Sequence, residues 1–120
     1  MSILKITIND DGTYTKASGP DCATVADDGD INVSACTETI DIAWTYASGT
    51  FRTAAGGGVT ISGNGNGQIF TGGALSNDNK TWTVTDGNPA TPPPGAGYNF
   101  TYMPHPAQGG GADPSIRNRG

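Results

Sequence analysis

Thr39-Ile40-Asp41-Ile42-Ala43-Trp44-Thr45-Tyr46 decides how this chain reads. Ile40, Ile42, Trp44 and Tyr46 alternate with Asp41, Ala43 and Thr45. An extended backbone therefore puts four large apolar side chains on one side. The period is two residues, that of a strand with one buried face. A bare Asp beside small residues marks the second face as wet. Three more runs repeat the pattern: Leu4-Lys5-Ile6-Thr7-Ile8, Lys80-Thr81-Trp82-Thr83-Val84-Thr85 and Tyr98-Asn99-Phe100-Thr101-Tyr102. Between them lie Gly, Asn, Asp, Ser and Pro. No window carries an apolar stripe at helical spacing.

Working outward, Asp10-Asp11-Gly12 and Asp27-Asp28-Gly29-Asp30 supply the positive φ of tight turns. Shorter apolar pairs, such as Ile31 with Val33 and Val59 with Ile61, restart the alternation. The pattern predicts seven to eight short strands with turn signals every ~8 to 12 residues, which is how a β-sandwich reads. We expect one all-β domain over residues 1–120, a single small antiparallel sandwich. Ser62 to Gly67 reads as a flexible Gly/Asn loop, because Gly weakens strands and Asn-Gly turns them. Residues 86–97 read as a Pro-rich connection with polyproline II character. Pro104 and Pro106 are expected to end the Tyr98–Tyr102 strand. Residues 113–118 are expected to form a short, ordered edge segment. Ile116 is the only large apolar residue after Met103, and Pro114 lowers the entropy lost on docking it. Residues beyond Asn118 are expected to be loose.

The composition suits a thin core. Apolar residues make up 34% and charged residues 14%, with 19 Gly. The net charge of −5 argues against nucleic acid, since phosphate binding needs a basic patch. Met1-Ser2-Ile3-Leu4-Lys5 runs into a strand pattern, with no charged region leading into a long apolar stretch. The expectation is a cytoplasmic or particle-associated protein without membrane insertion, or an extracellular one if a leader was removed. Cys22 and Cys36 allow one disulfide, worth roughly 3 kcal/mol in the chain-entropy model. The lack of a leader argues for free thiols instead, so the pairing stays open at this level.

The candidate chemistry is sparse. His105, flanked by Pro104 and Pro106, reads as an exposed turn residue. A copper site of the two-His-one-Cys type lacks its second His. Asp27, Asp28, Asp30 and Asn32 alternate oxygen side chains around a Gly turn and resemble part of a calcium loop. The twelfth-position Glu is missing, and solvated turns are usually acidic anyway. Asn9, Asp10 and Asp11 form a second acidic turn. Catalysis by a Ser or Cys nucleophile finds no strained elbow. Glu38 is the only Glu, which disfavours paired-carboxylate chemistry. Trp44, Tyr46, Trp82, Tyr98 and Tyr102 could form a sugar-stacking platform, although at strand spacing they also read as core.

The segments Trp82-Thr83-Val84-Thr85-Asp86, Tyr98-Asn99-Phe100-Thr101-Tyr102 and Asp113-Pro114-Ser115-Ile116-Arg117-Asn118 together carry a resemblance. They are similar to small bacterial sandwich proteins, immunoglobulin-like or cupredoxin-like, that close with an Asp-Pro-x-Ile-x-Asn segment, such as the DP-EP family. Where a Glu-Pro partner would stand, this chain has Met103-Pro104-His105-Pro106. The resemblance implies an immunoglobulin-like or cupredoxin-like fold and no particular chemistry. The expected function is non-catalytic: a module acting in binding or self-assembly, pairing through strand edges into a homo-oligomer. Low charge motivates this, because edges without guarding charges invite pairing. The alternative is a carbohydrate-binding module using the five aromatics.

Overall fold

A computed structural model describes residues 2–53, 57–108 and 114–119. Among them, ten strands build two five-stranded sheets. The strands are β1 (Ser2–Ile8), β2 (Tyr14–Ser18), β3 (Thr24–Val25), β4 (Ile31–Asn32), β5 (Ile40–Tyr46), β6 (Gly58–Ser62), β7 (Phe70–Leu75), β8 (Thr81–Asp86), β9 (Asn99–His105) and β10 (Ser115–Arg117). One helical turn, α1 (Asn66–Ile69), joins β6 to β7.

The first sheet runs β2-β1-β5-β8-β7, with the deciding stretch as its middle strand. Ile40, Ile42 and Trp44 are fully buried, as the alternation requires. Leu4, Ile6 and Ile8 of β1 lie beside them in register with Ile42, Trp44 and Tyr46. The second sheet runs β3-β4-β10-β9-β6. Its inward residues include Ile31, Phe100, Tyr102, Ile116 and Val59. The two apolar faces interdigitate: Phe70 meets Phe100 edge-on at 4.9 Å, and Trp44 lies 4.9 Å from Tyr102. The result is the expected all-β sandwich.

The described strands number ten where seven to eight were expected, because two-residue strands such as β3 and β4 are too short to show an alternation of their own, and four further details differ, each for a physical reason. The sheets are mixed rather than antiparallel. β1 pairs parallel with β5, and β10 pairs parallel with β4. Between β1 and β5 the chain passes through β3 and β4 of the other sheet, so it returns to the first sheet in the same direction. Second, β10 is the middle strand of its sheet and not an edge. Ile116 is completely buried and pairs with Ile31 on one side and Phe100 on the other. Third, β9 continues through Pro104 to His105, and Pro106 bridges Phe51. The Tyr102 N–H points at Pro114 O, on the β10 flank. Pro104 is two residues on and faces the same flank past the end of β10. Its missing N–H therefore breaks no bond to β6. Fourth, Arg119 is held rather than loose: its N–H donates to Asn88 Oδ1 at 2.9 Å.

The Ser62–Gly67 stretch, expected as a flexible loop, runs from the end of β6 through a short turn into the first residues of α1, where the Asn66 side-chain amide donates to the Ile61 carbonyl at 2.5 Å. Cys22 and Cys36 are joined in a disulfide. It closes the loop that carries β3 and β4, and Cys36 is buried with the core. Asp113 of the Asp-Pro-x-Ile-x-Asn segment lies outside the described residues.

Candidate functional site

One flank of the sandwich is formed by β6, the edge of one sheet, and β7, the edge of the other. Their sequences, Gly-Val-Thr-Ile-Ser and Phe-Thr-Gly-Gly-Ala-Leu, contain no charged residue. The two edges border a cleft of about 210 Å³ lined by Val59, Ile61, Phe70, Gly73, Trp82 and Val84. Trp82 is half-buried in it. The alternation of β8 aims this side chain inward, where it meets Trp44 at 5.9 Å. Two glycines let the backbone reach the indole. Gly58 has φ 72°, and a Cβ there would come within 2.5 Å of the ring. A Cβ on Gly73 would overlap the far side of the same ring. β7 carries a bulge between Thr71 and Ala74, which twists that edge and leaves β6 as the straighter one.

A second depression of about 440 Å³ lies at one end of the sandwich. It is lined by Asn9, Asp10, Tyr46, Ser48, Thr50 and Gln108, among others. Ser48 donates to Asp10 at 3.1 Å across its rim. Tyr46 lies tilted against Phe51, ring centres 4.6 Å apart, and burial pushes its phenol up to about 12.

The five aromatics are not gathered on one face. Trp44 and Tyr102 are 0% and 1% exposed, so neither ring is available to a sugar. The Tyr102 hydroxyl donates to Gly29 O at 2.6 Å, and burial raises its pKa. Gly29 makes that approach feasible, since a Cβ there would crowd Tyr14, Pro114 and the Tyr102 hydroxyl. Trp82 and Tyr46 line two different clefts. Only Tyr98 is open, 41% exposed, with the Arg117 guanidinium 5.5 Å above its ring.

Three of the four side chains of the acidic turn accept from backbone N–H groups. Asp28 accepts from the Asp30 N–H, Asn32 accepts from the Ser34 N–H and hydroxyl, and Asp30 accepts from the Ser115 N–H at 2.8 Å. Asp27, Asp28, Asp30 and Asn32 are exposed. Among the described residues, no group of three or more His, Cys, Asp or Glu is placed to hold a metal ion. Asp30 instead anchors the start of β10. His105 is half-buried at the end of β9 rather than in an open turn, and its Nε2 lies 2.7 Å from the Thr60 hydroxyl.

Sequence reasoning missed a buried polar knot of Asp86, Asn88 and Asn118, which are 0%, 0% and 2% exposed. Asp86 Oδ1 accepts from the Asn88 N–H at 2.9 Å and from Asn118 Nδ2 at 2.7 Å. Asn88 Nδ2 reaches the carbonyls of Val33, Cys36 and Glu38. Burial raises the Asp86 carboxyl to about 6, against the lowering effect of its two donors. A signal was present: continuing the inward series Trp82, Val84 by two lands on Asp86. Assigning residues 86–97 to the Pro-rich connection masked it.

Among known proteins, no family model matches the chain and no curated protein is similar to it.

Proposed function

We propose that this protein is a non-catalytic β-sandwich that assembles with further copies of itself through strand-edge pairing along the β6/β7 flank. The supporting observation is that flank itself: the straight, uncharged β6 edge beside the uncharged but bulged β7 edge, bordering a small cleft partly lined by Val59, Phe70, Trp82 and Val84. Unpaired edge N–H and C=O groups template another strand unless charge, Pro or a bulge guards them. In β-augmentation the ladder supplies affinity, and alternate side chains filling pockets supply specificity. The Trp82 cleft suits one apolar side chain of the added strand. The opposite edge, β2, carries Lys16. The disulfide supports a setting outside a reducing cytosol.

The two parallel pairings depart from an all-antiparallel sandwich. A copper site of the two-His-one-Cys type has no support, because the chain has one His and both Cys are bonded to each other.

Solution mass at several concentrations, for wild type and Thr60→Lys, tests the assembly. Wild type should grow in mass with concentration, and a charge on the β6 edge should stop it. A wild type that stays strictly monomeric at high concentration overturns the proposal. A glycan-binding reading retains one supporting observation: Tyr46 beside Asn9, Asp10 and Gln108 at the end depression. An array without hits would remove it.

A further inference from the structure

The polar knot contains an imbalance. Asp86 Oδ2 and Asn118 Oδ1 are both buried, and neither has a hydrogen-bond partner. They belong to two side chains already joined through their other ends, Asn118 Nδ2 to Asp86 Oδ1 at 2.7 Å. Two stranded acceptors at such a contact cost free energy, since an unmade buried hydrogen bond carries the full desolvation penalty. One proton removes both deficits.

We propose that Asp86 and Asn118 form a buried proton-binding site. Neutral Asp86 donates through Oδ2 to Asn118 Oδ1, while Asn118 donates through Nδ2 to Asp86 Oδ1. The proton comes from bulk water and returns to it when the site empties. The reciprocal acid–amide pair ties the end of β8, in one sheet, to the residue following β10, in the middle of the other.

The surroundings favour the neutral acid. β5 and β7 place Ile40 and Phe70 opposite Asp86. From the 33–38 segment, Glu38 sends only its carbonyl to Asn88, and its carboxylate accepts from the Ser2 hydroxyl. From the C-terminal segment, the Arg119 guanidinium is engaged by Asn88 O at 2.6 Å, and Arg117 turns outward over Tyr98. Burial is the largest influence on the carboxyl and acts in the same direction, raising it from 3.8 to about 6.

The folded state holds this proton up to about pH 6, whereas the unfolded chain releases it near 3.8. Stability from the pair is complete below the unfolded value and is lost as pH rises through the folded one. The difference between 3.8 and about 6 corresponds to a change in the unfolding constant on the order of a hundredfold.

The test is urea unfolding of wild type and Asp86→Asn between about pH 4 and pH 8, followed by tryptophan fluorescence. The unfolding constant of wild type should rise about a hundredfold relative to the variant, with the rise complete just above pH 6. The amide in the variant can donate to Asn118 Oδ1 at every pH, so its own curve should lack that step. Parallel curves for the two proteins overturn the proposal. Carboxyl carbon NMR of wild type reads the site without any variant. A midpoint for Asp86 near 6 supports it, and one at about 4 or below refutes it. Calcium-dependent stabilisation at neutral pH that Asp86→Asn abolishes would replace the proton with a cation and also refute it.

Discussion

Asn88→Ala should be among the most damaging single changes in this protein, although Asn88 sits in a loop. Its amide nitrogen faces the carbonyls of Val33, Cys36 and Glu38 at 3.2, 3.1 and 3.4 Å. Two N–H groups serve three acceptors, so at least two full bonds are lost on truncation. Its Oδ1 also accepts from the Arg119 N–H. Three bonds at about 1 kcal/mol each, plus the stranding of buried carbonyls, give a cost of about 3–5 kcal/mol. Backbone conformation adds to this. Asn88 has φ 42°, a left-handed geometry that Asn tolerates and Ala does not. Asn88→Gly should therefore cost roughly 1 kcal/mol less than Asn88→Ala, despite losing the same side-chain bonds. Asn88→Asp keeps the acceptor for Arg119 but turns an oxygen toward three carbonyls, and it should be no better than Ala. Urea midpoints at constant slope measure all three. If Asn88→Ala cost less than about 1 kcal/mol, or if Asp were tolerated, the amide would not be clamping the 33–38 segment and the reasoning would fail.

Replacing Cys22 and Cys36 together with Ser should lower stability by roughly 3 kcal/mol, read as a shift in denaturation midpoint that reductant reproduces in wild type. Gly73→Ala should cost about 1–3 kcal/mol by crowding the Trp82 indole and should shift tryptophan emission. Much of that loss should return when Trp82→Phe is added. Ile116→Ala should cost about 2–5 kcal/mol, and amide exchange should then rise in β4 and β9 as well as β10, because both flanking strands pair with it.

How much of this was legible in the sequence depended on whether the information was local. Alternation placed the inward faces of β1, β5, β8 and β9 correctly, because a period of two is a property of consecutive residues; Tyr98, read as part of the Phe100 and Tyr102 face, precedes β9 and is exposed. Direction and neighbour identity are not. Nothing in Leu4-Lys5-Ile6 or Ile40-Asp41-Ile42 says that these strands run parallel. Ser115-Ile116-Arg117 offers one apolar residue whether it lies at an edge or in the middle of a sheet. That Ile116 is buried was readable from hydrophobicity, and its two partners were not. Of the aromatics, Trp44 and Tyr102 followed the core reading. Trp82 is left half-open because Gly58 and Gly73 approach it from two other strands. The Asp86 knot escaped because a polar residue at the head of a Pro-rich stretch reads as part of the connection unless the strand's period is carried one step further.

The position of β10 makes the molecule divisible. Without Ser115–Arg117, the second sheet would be two separate ribbons, β3-β4 and β9-β6, with a strand-wide slot between them. Asp30, Ile31, Phe100 and Asp86 would wait there for the partners that Ser115, Ile116 and Asn118 now supply. Such a slot has a shape, a register and a defined polar lock at one end. A chain cut before Pro114 and a synthetic peptide covering residues 114–119 would therefore be complementary halves. Their recombination would convert the closing of one sheet into a binding event whose strength can be titrated.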